Sequence, residues 1–156
     1  MKWQAFGALW VRRLKRLVEF VAYGLFDRLA LLAVSPQPRG QRIALVHVEL
    51  LGDAFLWLPY AQALVGALRC EGCTPVVICE DSVRSVFAAA LPGCEIFSVT
   101  KHSFLRDPRT RWRSLHGLRR LGVARTYLCS HPRDGITQDA IVRALGAPAT
   151  GFDAVY

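Results

Sequence analysis

No G-x-G-x-x-G follows the first apolar run of this 156-residue sequence; only Gly52 stands there, in "VHVELLGD". The glycines that let a backbone approach a pyrophosphate are missing, which argues against an NAD or FAD site. A Walker A sequence is absent too, which excludes a P-loop nucleotidase. No second C-x-x-C completes "CEGC" (Cys70 to Cys73), and His102 stands far along the chain. The pair is therefore read as thiols rather than as half a zinc site. Five cysteines form no even set, and no small-x-small cleavage site marks a signal peptide. Both observations argue against a disulfide scaffold and for a reducing compartment. Before Asp27 the longest charge-free stretch is Phe20 to Phe26. A bilayer span needs about 20 apolar residues.

Acid is scarce, at 12 Asp and Glu against 20 Lys and Arg, for a net charge of +8. Residues 1–34 carry +4, residues 101–125 carry +7, and the remainder sums to −3. Two basic segments thus need anionic company: lipid, phosphorylated glycan or nucleic acid. The nucleic-acid option matches no known module pattern. A hydrophobic content of 53% excludes a disordered chain, and the length suits one domain with a real core.

Residues 1–34 read as one helix. Trp10, Leu14, Leu17, Val18, Val21, Leu25, Leu29 and Leu32 recur at spacings of three and four, with Arg12, Arg13, Lys15 and Arg16 mostly off that stripe. Two readings stay open: a basic amphipathic helix lying in a membrane interface, or a helix packed on protein. The breaker-rich "SPQPRGQ" (residues 35–41) is a linker, and the regular domain spans residues 42–156.

In that domain, "RIALVHV", "TPVVICE", "CEIFSV" and "ARTYLCS" read as strands. Helical stretches alternate with them: "AFLWLPYAQALVGALRC", "DSVRSVFAAAL" with Asp81 as its cap, Thr110 to Leu121, and Asp134 to Gly146. Pro59 suits a helix start better than a helix middle. Strands that are apolar throughout, alternating with helices, predict an α/β fold: a Rossmann-like parallel sheet with flanking helices. Ligands then sit beyond the carboxyl ends of the strands. The Gly52–Asp53 turn belongs to that rim, as do a Lys101 to Arg109 loop and the "SHPRDG" turn, where Arg133 or His131 could reach a ligand.

Taken alone, Asp53 reads as a helix cap, accepting backbone N–H bonds at the positive end of the dipole. The same position suits a general base for a ligand hydroxyl. Arg109, Arg111 and Arg113 could grip phosphate or carboxylate, or form a solvated face. Trp112 could stack on a sugar or pack on the sheet. His102 and His116 are expected at the surface.

The stretches "RIALVHVELLGDAFLWLPYAQALVGAL", "DSVRSVFAAALPGCEIFSV", "RTRWRS" and "IVRALGAPATGFD" together resemble the N-terminal half of the heptosyltransferase family, glycosyltransferase family 9. The resemblance covers about residues 42–153 and is most specific at Gly-Asp and Leu58–Pro59. It implies one half of a two-domain inverting transferase, in which two Rossmann-like halves face each other across a cleft. This half would bind an anionic glycan or glycolipid acceptor, with Arg109, Arg111 and Arg113 matching the region that contacts it; Gly52, Lys101 and Arg133 are further acceptor-binding candidates from their place on the rim. Asp53 would be the general base. The other half, missing from this chain, would hold the nucleotide-sugar donor, ADP-heptose or similar; no further cofactor or metal is implied. The implied location is the cytoplasmic face of the inner membrane. The chain departs from the family at His47, where Arg or Lys is usual, at Glu49 and Leu50, where small hydroxyl residues are common, and at "CSHPRDG". The departures leave a second expectation: a non-catalytic membrane-surface or partner-binding module on the same fold.

Overall fold

The computed structural model describes residues 18–35, 37, 40–130 and 136–151. Its centre is a five-stranded, all-parallel sheet: β1 (Arg42–His47), β2 (Thr74–Glu80), β3 (Glu95–Val99), β4 (Arg125–Leu128) and β5 (Ala149–Thr150). The order is β3-β2-β1-β4-β5. β1 lies centrally, in register from Arg42 opposite Thr74 to His47 opposite Cys79, with Ile43 opposite Arg125 on its other side. The direction of winding reverses between β1 and β4, which makes a Rossmann-like α/β sheet with a switch point there.

Two apolar clusters explain the continuous hydrophobic runs. On one face, Ile43 and Leu45 of β1 and Val77 and Cys79 of β2 pack against α2 (Leu51–Cys70) and α3 (Arg84–Ala90), through Ala54, Ala61, Val65, Leu68 and Phe87. On the other, Ala44, Val46, Val76 and Ile78 pack against four helices. These are α1 (residues 18–32), α4 (Lys101–Arg106), α5 (Pro108–Arg120) and α6 (Gln138–Leu145). A strand buried on both faces has no solvent side for a polar residue, hence the missing alternation.

Several boundaries differ from the sequence expectations. Gly52 and Asp53 form no turn: α2 begins at Leu51 and carries Pro59 inside it. Pro59 leaves the Phe55 carbonyl without its usual donor. Both residues are exposed, so water can take that place. By length and composition alone, α2 is apolar enough to cross a membrane, although its buried residues sit on the sheet. The Lys101–Arg109 loop is instead α4 followed by the start of α5, where Asp107 accepts from the backbone N–H groups of Arg109 (3.0 Å) and Thr110 (3.2 Å). Asp81 does not cap the following turn; Glu80 does, accepting from Ser82, while Asp81 accepts from the Ser98 hydroxyl at 2.6 Å. α6 ends at Gly146, whose φ of +64° favours glycine. A side chain there would also sit 2.3 Å from the Arg119 guanidinium.

The periodic stripe of the N-terminal segment points away from the domain. Val18, Val21, Leu25, Leu29 and Leu32 are between 57% and 83% exposed. The opposite face of α1 does the packing. The Tyr23 hydroxyl donates to the Leu105 carbonyl, Phe26 meets Trp112 edge-on at 6.0 Å, and Ala30 is fully buried. His116, expected at the surface, is partly buried and donates from Nε2 to the Ala30 carbonyl at 3.1 Å. Trp112 meets α1 and His116 and packs against the core cluster on this face of the sheet. Residues 1–17 of the expected helix lie outside the described residues.

Candidate functional site at the switch point

The chain leaves β1 at His47 and enters α2 within four residues, so this loop is fixed at both ends. Leu50 occupies the N-cap position, with φ −74° and ψ 170°, and no side-chain cap bond forms. Asp53 is the third residue of the helix and is exposed. The cap reading of Asp53 is thereby corrected: its carboxylate sits in the positive first turn but not at the cap. Gly52 beside it has ordinary backbone geometry, and a Cβ there would meet nothing within 4 Å. The glycine leaves the outside of this turn open.

His47, the last residue of β1, points into the α2 layer. It stacks on Trp57 at 4.6 Å and 12°, and meets Phe87 edge-on at 6.1 Å. Its Nδ1–H donates to the Cys129 carbonyl at 3.3 Å. Nε2 is then a lone pair, buried and without a hydrogen-bond partner. Burial lowers the His47 pKa, opposed by the Cys129 hydrogen bond and by the charge of Asp53. Above pH 6.5 the ring is therefore neutral, and it feels the Asp53 carboxylate.

Across the switch point, Gln138 at the start of α6 donates from Nε2 to Glu49 at 2.7 Å, tying the loop after β1 to α6. Among the described residues, the Gln138 Oε1, the Ser130 hydroxyl after β4 and the Thr137 hydroxyl are buried with no hydrogen-bond partner. Buried polar atoms are almost always paired, so each of these calls for a partner such as a bound water. Sequence reasoning missed His47, Glu49, Ser130, Thr137 and Gln138 as a group. Their only shared signal is proximity to the carboxyl ends of β1 and β4.

The other expected site residues do not converge here. Lys101 starts α4 beyond β3, at the sheet edge, where its backbone N–H donates to Glu80 at 3.2 Å. Arg109 and Arg113 are exposed on α5, in the layer opposite α2, where they line a shallow groove with Phe26 and Trp112. Arg111, expected to bind ligand, is 1% exposed and held by Asp27. Its Nε and Nη2 donate to the two Asp27 oxygens at 2.6 and 2.7 Å. Further bonds reach the carbonyls of Phe104 (3.3 Å) and Ile136 (3.4 Å), and the rings of Tyr23 and Phe104 flank the guanidinium. Arg143 also donates to Asp27, at 3.2 Å. Arg111 is thus the pin of the α1 layer and is out of reach of a surface ligand. His131 and Arg133 lie outside the described residues.

Burial pushes the thiols of Cys79 and Cys129 up to about 12, which disqualifies both as nucleophiles at neutral pH. Among the described residues, no three His, Cys, Asp or Glu side chains converge as metal ligands. What the rim offers is an accessible carboxylate, Asp53, with buried acceptor and hydroxyl groups at the neighbouring strand ends, groups that can accept from donors such as sugar hydroxyls. Comparison with protein-family models, with curated proteins and with solved structures yields no match.

Proposed function

We propose that this chain is the acceptor-side half of an inverting glycosyltransferase that builds cell-surface glycan at the cytoplasmic face of the inner membrane. The observation that carries the reading is Asp53: exposed at the carboxyl end of the central strand, next to the switch point, and not engaged as the cap. A general base needs hydrogen-bond reach to the proton it takes and freedom from competing partners. Asp53 would take the proton of an acceptor hydroxyl as its oxygen attacks the anomeric carbon of a nucleotide-sugar such as ADP-heptose. The bond to the nucleoside diphosphate breaks as the new glycosidic bond forms, with no covalent enzyme intermediate. The buried acceptors around Gln138 and Ser130 would orient acceptor hydroxyls, with Gly52 leaving room. The donor would belong to a second Rossmann-like half.

In the transferase carrying that donor half, Asp53→Asn should lower sugar transfer by about 10²- to 10⁴-fold. The measurement is initial rate with a phosphorylated inner-core acceptor; near wild-type turnover would sink the catalytic role. A second reading, a partner-binding module without the reaction, draws support from the apolar surface beside Asp53. Leu50, Leu51, Phe55, Leu56 and Tyr60 are all exposed there. Retained acceptor binding separates the two, since a pure partner module would have none.

A further inference from the structure

The structure has a second exposed apolar surface, the outward stripe of α1, on the opposite face of the sheet from α2. Nothing among the described residues packs on it. The inward face of α1 already has its partners: Leu105, Trp112, His116 and the Asp27–Arg111 pair. Five large aliphatic side chains therefore stay in water along a helix that is otherwise firmly docked.

Arginines bracket the stripe. On one flank, Arg28 and Arg143 line a groove of about 370 Å³ with Phe20, Val21, Gly24 and Leu25. On the other, Arg109 and Arg113 line a groove of about 310 Å³ with Phe26 and Trp112. Nearby acids do little to neutralise this surface. Asp27 is fully buried and paired, Asp107 caps α5, and Asp139 is buried. Glu19 is half-buried at the start of α1. The sequence before Val18 adds five basic residues and no acid.

We propose that the outward stripe of α1, with Arg28, Arg109, Arg113 and Arg143 on its flanks, lies on an anionic lipid surface. An apolar strip between two rows of cations is the pattern of a helix lying flat at a headgroup boundary, where aliphatic side chains enter and guanidinium groups meet phosphate. Charge decides against a second copy of the chain. Self-pairing through the stripe would bring the four arginines against their own copies, whereas anionic lipid neutralises them. Because the inward face is pinned to α5 and α6, the helix carries the domain with it. The inference stands independently of the transferase reading.

The test is co-sedimentation of the full chain with phosphatidylcholine vesicles and with phosphatidylcholine–phosphatidylglycerol vesicles, alongside light scattering without lipid. Binding should appear with the anionic vesicles and weaken as salt rises. It should fall roughly tenfold or more in Leu25→Ser/Leu29→Ser and in Arg28→Gln/Arg109→Gln/Arg113→Gln. Arg143 is left in place because it also holds Asp27. Thermal unfolding should be unchanged in both variants, and the arginine variant keeps the test open if the serine variant folds poorly. No vesicle binding, equal binding to neutral vesicles, or anionic binding that survives both variants overturns the proposal. So does a dimer in solution that Leu25→Ser/Leu29→Ser dissociates while lipid binding stays absent.

Discussion

The two helical layers bury polar groups under the same sheet in opposite ways. In the α1–α5–α6 layer, both Asp27 carboxylate oxygens are held by Arg111, with Arg143 at their edge. In the α2–α3 layer, His47 is neutral: burial drives off its proton, and Trp57 and Phe87 enclose the ring. A matched pair resists solvent change but fails badly when one partner is removed. A discharged imidazole tolerates its apolar surroundings only while the solution leaves it neutral. The α1 layer should therefore be sensitive to mutation, and the α2 layer to pH.

The largest expected effect breaks the first device. Asp27→Ala leaves the Arg111 guanidinium buried without its counter-charge and should destabilise the fold by about 5 kcal/mol, read by urea unfolding. Asp27→Leu combined with Arg111→Met should recover most of that loss, since an apolar pair of similar size is tolerated. Next, Phe87→Ala removes a fully buried ring from the α2 layer. It should cost about 3 kcal/mol, with Trp57 and His47 relaxing into part of the cavity. The smallest effect is the pH dependence. Because the folded-state pKa of His47 lies below its ordinary 6.5, the unfolded chain takes up the proton first. The stability contributed by neutral His47 is complete above about pH 6.5 and declines on acidification towards the folded-state value. His47→Gln should flatten that part of the stability–pH curve; an unchanged curve in His47→Gln would remove the contrast between the layers.

The sheet was legible because burial on both faces writes itself as unbroken apolar runs, and four of its five strands stood out as such. The fifth, Ala149–Thr150, is two residues long and carries no pattern. α4 was hidden because six residues beginning Lys-His-Ser resemble a loop. The direction of α1 was hidden for a different reason. Periodicity identifies an apolar stripe but not what it faces, and here the packed face is the one with Tyr23, Asp27 and Ala30. The role of Arg111 depends on an acid 84 positions away, which no local spacing encodes. Of the candidate site, Asp53 could be singled out from its neighbours in sequence. The unpaired group around Gln138 could not, since it assembles only where two distant strand ends meet.

That separation of 84 residues also sets a timetable. α1 is translated before its anchor on α5, which follows 84 residues later. At about 5–20 residues per second, α1 waits on the order of 4–17 s before Arg111 exists to hold it. Throughout that interval both its faces are unoccupied, and the domain that will cover one of them has not yet been made. Whatever meets the outward stripe can do so during synthesis, so the helix can be delivered to its surface before the fold that it carries there is complete.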